Sequence, residues 1–280
     1  MKLYHYTSGD GLYGIIETME LHCSHIEFLN DPTESTYFDS ILENVISKNH
    51  ICKKIHNELF SKNYYDFMYY NSTNYILSFC QNEDLLSMWN YYAEGNGYCI
   101  GFEIDIEQLR KFANSNDYGI DSTEIIYDSK DNLEKKITQF ILPFNEEIIK
   151  AKNIESSNND ADIYPEIWRL QEIYVNKIME LKRKYKHPAY IYEKEFRLKI
   201  SLPDYNRNNK DLTNYNVSKG GIFIEYFKLP IDGNIIQIKS VKCHPLATEV
   251  QQKGLERYLY NRLGYNKINI SKSNIPFREL

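Results

Sequence analysis

Two polar clusters near opposite ends of the chain contain residue types that glycosyl-transfer chemistry uses. The first is His5-Tyr6-Thr7, in a segment that alternates like a strand, and the second is Glu193-Lys194-Glu195, which Arg197 follows closely. Transfer of a sugar develops positive charge on its ring, and a fixed carboxylate stabilises that charge. A histidine can hold a ribose hydroxyl. A fold that brings the two clusters together would therefore form a site for a nucleotide.

Each cluster also has a structural explanation. In a strand His5 and Thr7 share one face, and a single strand histidine is more often a satisfied core residue than a catalyst. Glu193, Glu195 and Arg197 would share one face of a late strand, with the carboxylates about 7 Å apart at a rise of ~3.3 Å per residue. In isolation, a solvated strand face with a neutralising arginine explains these three residues better than catalysis does.

Two further segments carry candidate binding residues. Ser78-Phe79-Cys80 forms the end of an apolar strand, and Met88 and Trp89 have the helical spacing that is typical of core residues. Tyr91 or Tyr92 could instead stack on a nicotinamide or adenine ring. The segment Leu29-Asn30-Asp31-Pro32-Thr33-Glu34 also stands out, but a turn and a helix cap explain most of it.

Composition limits the classes of function. The chain of 280 residues has 33 Lys+Arg against 39 Asp+Glu, a net charge of -6, which argues against tight nonspecific binding of nucleic acid. Its 25 Tyr against 2 Trp fit the codons of an AT-rich genome. Five scattered cysteines form no Cys-x-x-Cys pair, so neither a zinc site nor a disulfide framework is indicated. Cys80 and Cys99 lie in apolar strands and are expected to be buried.

No segment of the sequence indicates a membrane or secretory destination. Lys2 is followed by polar residues, unlike a signal peptide, and no apolar run approaches the ~18 residues of a membrane helix. The expected location is the cytoplasm, a reducing compartment, with no membrane partner.

The order of predicted elements indicates an α+β fold. Alternation predicts a strand at 20–28, and apolar runs predict buried strands at 75–80 and 98–104. Further strands are predicted at 3–7, 125–127, 190–201, 222–227, 235–243 and 268–270. Helical spacing and N-cap residues predict helices after Ser8, from Pro32, over 49–72, from Asp84, and over 106–113, 130–151, 164–185 and 246–263. We expect one domain over residues 1–280, with a helical insertion at about 128–187.

Taken together and in order, these motifs resemble a bacterial family of domains of unknown function. Members open with a Leu-Tyr-His-Tyr-Thr-Ser strand and a Leu-Asn-Asp-Pro-x-Glu turn, followed by Ser-Phe-Cys, Met-Trp-x-x-Tyr-Ala, Gly-x-Cys-Ile-Gly-Phe and Tyr-Glu-x-Glu-x-Arg. The corresponding residues of this chain are 3–8, 29–34, 78–80, 88–93, 97–102 and 192–197, with a family-like ending at 270–278.

That family in turn resembles the ADP-ribosyltransferase superfamily, which implies a split, mixed or antiparallel sheet with flanking helices. The resemblance implies NAD as the substrate and no metal. It makes Glu195 the catalytic carboxylate and Glu193 its partner in a Glu-x-Glu pair. It also implies contacts to NAD from a further set of residues, namely His5, Tyr6, Thr7, Ser78, Tyr92 and Arg197. A protein or nucleic-acid acceptor and an antitoxin or phage-defence partner follow by the same resemblance.

Three functional hypotheses remain open at this stage. The first is an enzyme that transfers ADP-ribose from NAD or hydrolyses NAD. The second is an inactive nucleotide- or partner-binding module on the same fold, and the third is a metal-dependent nuclease, which the acidic composition disfavours. The enzyme hypothesis requires His5, Tyr92 and Glu195 to line one cleft, and it fails if His5 and Glu195 lie on opposite faces of the sheet.

Overall fold

The computed structural model describes residues 1–29, 36–60, 72–93, 96–157, 166–218, 220–264 and 268–276. The chain divides into two compact units. One, here called the sheet unit, comprises Met1–Leu29, Ser72–Glu124 and Tyr192–Leu280. The other, the helical unit, comprises Asn30–Asn71 and Ile125–Ile191.

All ten strands of the described residues belong to the sheet unit. They are β1 (Lys2–Thr7), β2 (Glu20–His25), β3 (Ser72–Cys80), β4 (Tyr98–Ile104), β5 (Gly119–Glu124), β6 (Glu195–Pro203), β7 (Thr213–Val217), β8 (Phe223–Pro230), β9 (Ile236–Cys243) and β10 (Asn269–Lys272). Their order is β10-β9-β4-β1-β3-β2-β8-β7, and β6 pairs with both β3 and β5. The β9–β10 pair is parallel and the other pairs are antiparallel, so the sheet is mixed and open.

The described residues also form nine α-helices. They are α1 (Gly9–Thr18), α2 (Tyr37–Lys48), α3 (His50–Leu59), α4 (Leu86–Tyr92), α5 (Ile106–Ser115), α6 (Lys130–Ile141), α7 (Phe144–Ser157), α8 (Glu166–Lys184) and α9 (Glu249–Leu263). Short 3-10 helices occupy Ile26–Phe28, Pro188–Glu193 and Asp204–Asn206. Within the described residues, no helix is both long and apolar enough to cross a membrane.

The strand β3 organises the sheet because both of its edges are used. One edge pairs with β6 over the full length of the strand, from Ser72 opposite Pro203 to Cys80 opposite Glu195. The other edge is shared: β1 pairs at Cys80, and β2 pairs at Tyr75 and Ile76. Between these two points, the edge at 77–79 pairs with neither β1 nor β2, and we call this break in the strand pairing the gap.

The two faces of the sheet carry different cores. The larger core packs α1, α5 and α9 on the face that carries Leu3, Phe79 and Phe196. The opposite face carries a smaller cluster in which α4 contributes Trp89, fully buried, next to Tyr6. Strand alternation separates the two sets, since successive side chains leave a strand on opposite faces.

In the helical unit, α2, α3, α6, α7 and α8 surround a separate apolar core. Its largest fully buried side chains are Phe38 and Tyr174. The apolar residues Leu133, Ile137 and Ile141 of α6 have the spacing of one helix face, and all three are completely buried.

The predicted α+β class is confirmed, with differences at element boundaries. The single helix predicted over 130–151 is two helices, α6 and α7, because Pro143 interrupts the helical hydrogen bonds. The predicted strand at 125–127 is wrong: β5 ends at Glu124, and Ile126 makes only an isolated bridge to Tyr185. The strand β7, at 213–217, was not predicted, since its side chains are mostly exposed and polar.

Some predictions remain open. The predicted turn at 29–34 lies almost entirely outside the described residues, as does most of the second half of the mixed segment 49–72. The helical insertion at about 128–187 stays a prediction. The helical unit includes those residues and also takes in Asn30–Asn71.

Candidate functional site

A hydrogen-bonded network on β3 and β6 contains three of the predicted site residues. The Ser78 hydroxyl donates to Glu195 Oε1 over 2.6 Å, and Arg197 Nε donates to the same oxygen over 2.8 Å. A second guanidinium nitrogen of Arg197 lies 2.8 Å from that oxygen. The network forms because the β3–β6 register pairs Ser78 with Arg197 and Cys80 with Glu195, which directs these side chains to one face.

The carboxylate of this network is buried, whereas one of its donors is open to solvent. Glu195 is 4% exposed and Arg197 is 6% exposed, while Ser78 is an exposed residue. A buried carboxylate is stable only when an opposite charge and hydrogen bonds compensate for its lost hydration. Arg197 and Ser78 supply both here, and they hold the anion in a fixed position next to the exposed Ser78.

His5 lies at the gap in the sheet. Its Nδ1 is 3.2 Å from the main-chain oxygen of Ser78, and its ring meets Phe79 edge to face at a centroid distance of 6.1 Å. Burial lowers the pKa of the His5 imidazole, and the bond to Ser78 opposes that shift only partly. A carbonyl oxygen only accepts, so the neutral ring carries its proton on Nδ1.

The side chains of His5 and Glu195 leave the sheet on opposite faces. Tyr4 pairs with Cys80, and Cys80 pairs with Glu195, so these three side chains point to the face of α4. His5 follows Tyr4 and points to the face of Phe79. Both residues nevertheless bind Ser78, His5 through the main-chain oxygen at the gap and Glu195 through the hydroxyl. This placement contradicts the requirement that His5 and Glu195 line one cleft, and it counts against the form of the enzyme hypothesis that uses both residues.

A second contact joins two more of the predicted residues. The Tyr92 hydroxyl, at the end of α4, donates to Glu193 Oε1 over 2.8 Å. The expectation that Glu193 and Glu195 share a strand face is wrong, because Glu193 ends a 3-10 helix and β6 begins at Glu195. Between them, Lys194 has a left-handed backbone (φ 45), and its carbonyl accepts from Gln81 N over 3.0 Å.

The other two predicted residues of β1 differ in surroundings. Tyr6 is buried, and its hydroxyl donates to the Asn82 carbonyl over 3.1 Å and accepts from Leu85 N over 3.0 Å. Burial raises the pKa of Tyr6, which keeps the phenol neutral. It packs edge to face on Trp89, so its contacts position the turn before α4. Thr7 is half-buried at the end of β1, opposite Tyr98.

Asp84 behaves differently from its predicted role as the cap of α4. The N-cap of α4 is Leu85, which makes no side-chain capping bond. Asp84 Oδ1 instead accepts from Trp89 Nε1 over 2.7 Å and from the Ser273 hydroxyl over 2.6 Å. Sequence reasoning missed this contact because Ser273 is 189 residues away, and no local signal marks it.

Other candidate binding features are limited. Within the described residues, no group of three or more His, Cys, Asp and Glu has a geometry that could hold a metal ion. A surface hollow of about 500 Å³ lies at the Ile104 end of β4, between Met1 and Asn234, and includes none of the predicted site residues. The five cysteines are buried free thiols, as expected for Cys80 and Cys99.

Comparison with known proteins finds a family match over part of the chain and no function. Residues 88–198 match a family described as "Protein of unknown function (DUF2971)". The matched range includes Tyr92, Glu193, Glu195 and Arg197, whereas His5 and Ser78 precede it. No curated protein and no solved structure is significantly similar to this chain.

Proposed function

We propose that this protein transfers ADP-ribose from NAD to an acceptor or, with water as the acceptor, hydrolyses NAD, at a site on the Glu195 face of the sheet that does not include His5. The observation that carries the proposal is the buried Glu195 carboxylate, held by Ser78 and Arg197 next to the gap between β1 and β2. The resemblance of the ordered motifs to ADP-ribosyltransferases supports the same assignment, and it is independent of the packing that buries Glu195.

The fixed carboxylate suits the chemistry of the glycosidic bond in NAD. The bond between ribose C1′ and the nicotinamide nitrogen breaks, and nicotinamide leaves as a neutral base with the electron pair. Positive charge then develops on the ribose, which the Glu195 anion stabilises. The acceptor oxygen or nitrogen forms the new bond to C1′ and releases its proton to solvent. Ser78 and Arg197 would keep the anion from moving during this change.

Two of the remaining residues have supporting roles in this proposal, whereas His5 has none, because its side chain leaves the sheet on the face opposite Glu195. Tyr92 would border the nicotinamide, and Glu193, which Tyr92 binds, would orient the acceptor. A macromolecular acceptor, and an antitoxin or phage-defence partner, belong to the proposal through the family resemblance alone.

A second candidate function is a binding module without catalysis. Two observations favour it: the Glu195 carboxylate already forms a buried ion pair with Arg197, and His5 and Glu195 point to opposite faces. Such a module would bind NAD, ADP-ribose or a protein partner at the gap and leave the glycosidic bond intact.

The decisive experiment measures nicotinamide release from NAD by the wild type and by Glu195→Gln. We expect release by the wild type and at least a hundredfold loss in the variant. Glu225→Gln is the matched control, because Glu225 is also buried and accepts a 2.8 Å bond from Tyr75, but on β8. Equal turnover of NAD by the wild type and by Glu195→Gln would overturn the proposal that Glu195 catalyses this reaction.

Calorimetry separates the two candidates. Binding of NAD or ADP-ribose without nicotinamide release would favour the binding module. If the protein neither binds these nucleotides nor releases nicotinamide, both candidate functions are excluded. Magnesium-dependent cleavage of nucleic acid, abolished by EDTA, would instead support the nuclease hypothesis.

A further inference from the structure

The helix α4 is held in place by a residue outside it. It has seven residues, too few to be stable alone, and Leu85 provides no side-chain cap. Its Trp89 is fully buried, and the indole N–H donates to Asp84 Oδ1 over 2.7 Å. An aspartate just before a helix usually caps its backbone N–H groups, so this carboxylate serves another purpose.

The same carboxylate binds the segment that follows β10. The hydroxyl of Ser273, a residue only 5% exposed, donates to Asp84 Oδ1 over 2.6 Å. The Ser273 N–H donates to the Cys243 carbonyl oxygen over 3.0 Å. The side chain of Ile275 packs against the apolar cluster around Trp89. Asp84 therefore joins α4 to strand β9 and to the segment after β10.

The charge of Asp84 is compensated within this junction. Lys242 Nζ lies 3.5 Å from Asp84 Oδ2 and 3.3 Å from Glu83 Oε1. Burial by itself raises the pKa of the Asp84 carboxyl, but the donors from Ser273 and Trp89 and the Lys242 ammonium outweigh it and hold the pKa below its usual range. The junction is thus an ionised, charge-assisted set of bonds, which are stronger than neutral ones.

We infer that Asp84 and Ser273 are positioning residues for Tyr92. Tyr92 lies three residues after Trp89, on the adjoining turn of α4, and its hydroxyl binds Glu193. Loss of the Ser273 hydroxyl loosens Trp89, tilts α4 and weakens the Tyr92–Glu193 contact. The part of this inference that concerns NAD affinity rests on the proposed function. The part that concerns how Asp84 and Ser273 hold α4 in place is independent of it.

The first test follows the exchange of the Trp89 indole N–H by nitrogen-15 NMR in the full chain. The chain has 2 Trp, so Trp168 provides an internal reference. In Ser273→Ala we expect Trp89 to exchange roughly tenfold faster, since a bond to a charged group is lost, and Trp168 to stay unchanged. The control Ser115→Ala removes a hydroxyl that bonds within α5. Unchanged Trp89 exchange in Ser273→Ala would overturn the inference.

The second test distinguishes positioning of Tyr92 from general stabilisation. A double-mutant cycle of Ser273→Ala with Tyr92→Phe is measured by urea unfolding. If Ser273 positions Tyr92, Tyr92→Phe lowers the free energy of unfolding less in the Ser273→Ala background than in the wild type. Strictly additive changes in the free energy of unfolding would contradict this role. Asp84→Asn, which keeps an acceptor oxygen for Trp89, provides a second variant in place of Ser273→Ala.

The third test measures NAD affinity. Ser273→Ala is expected to raise the Kd for NAD severalfold while Ser115→Ala leaves it unchanged. If the wild type binds no NAD, the proposed function fails, and the indole exchange and the cycle still decide whether Ser273 positions α4. If the wild type binds NAD and Ser273→Ala binds it equally well, the inference fails and the proposed function stands.

Discussion

Ser78 and Glu195 are 117 residues apart in the chain, yet a 2.6 Å hydrogen bond joins the hydroxyl of one to the carboxylate of the other. The bond spans two adjacent strands whose register directs both side chains to one face. It connects an exposed position to a buried anion, and the main chain of the same serine is bound by His5. Ser78 is therefore the residue through which the two distant polar clusters meet.

The buried ion pair predicts a large effect of removing its cation. Arg197→Ala is expected to lower the free energy of unfolding by about 3 kcal/mol, because Glu195 would remain buried and lose its ion pair with Arg197. Arg207→Ala is the control: Arg207 lies 3.8 Å from Glu225 but is about half exposed, so its loss should cost less than about 1 kcal/mol. Urea denaturation measures both. Equal losses would show that Arg197 does not compensate Glu195.

The contact between Tyr92 and Glu193 predicts different effects at two adjacent tyrosines. Tyr92→Phe is expected to lower the free energy of unfolding by about 1 kcal/mol, since it deletes the donor to Glu193. It should also weaken NAD binding under the proposed function. Tyr91→Phe should be neutral in both respects, because Tyr91 is 79% exposed. Thermal unfolding and calorimetry on the two variants test this, and indistinguishable variants would refute it.

Close packing predicts opposite effects at two glycines. A Cβ on Gly97 would lie 2.5 Å from the Thr7 carbonyl oxygen and 2.6 Å from Ala93 Cα, both main-chain atoms, so Gly97→Ala is expected to destabilise by roughly 2 kcal/mol or more. A Cβ on Gly14, inside α1, meets nothing within 4 Å. Gly14→Ala should therefore stabilise by about 0.5–1 kcal/mol. Measured urea midpoints that move in the same direction would contradict the packing.

Partly buried histidines predict the dependence of stability on pH. Partial burial lowers the pKa of His5, and it also lowers the pKa of two further histidines, His25 and His56. Below the unfolded value of about 6.5 the unfolded chain then binds more protons than the folded one, so stability is complete above that pH and falls as the pH falls.

The measurement is the urea midpoint between pH 7.5 and pH 5.5, a window that lies above the titration of ordinary carboxylates. His5→Gln, which keeps a donor for the Ser78 carbonyl, should reduce the slope. A midpoint that stays constant or rises on acidification would show that the histidines do not titrate in this way.

The sequence alone determined the class of fold and most of its elements. Continuous apolar runs locate β3 and β4, because strands that are buried on most positions of both faces need little alternation. Helical spacing does the same for α5 and α6. Its limits appear where burial is weak: the exposed edge strand β7 carries no such apolar run, and Pro143 divides a segment whose apolar pattern continues across it.

The candidate residues could be chosen from the sequence, but their arrangement could not. Residue type and order single out Ser78, Tyr92, Glu195 and Arg197. Only the β3–β6 register decides that Ser78 and Arg197 share one oxygen of Glu195, and only the left-handed turn at Lys194 separates Glu193 from the strand.

The tertiary structure also decided which side of the sheet each cluster faces and what holds α4. His5 and Glu195 point to opposite faces because β1 pairs with β3 at Tyr4. This one pair determines which residues of β1 face each side of the sheet. Asp84 binds Ser273 because β10 returns beside β9. Such contacts depend on how distant strands pair, and pairing is determined by the packing of the whole sheet. The local sequence carries the chemistry of each residue, whereas the pairing of distant strands determines which residues act together.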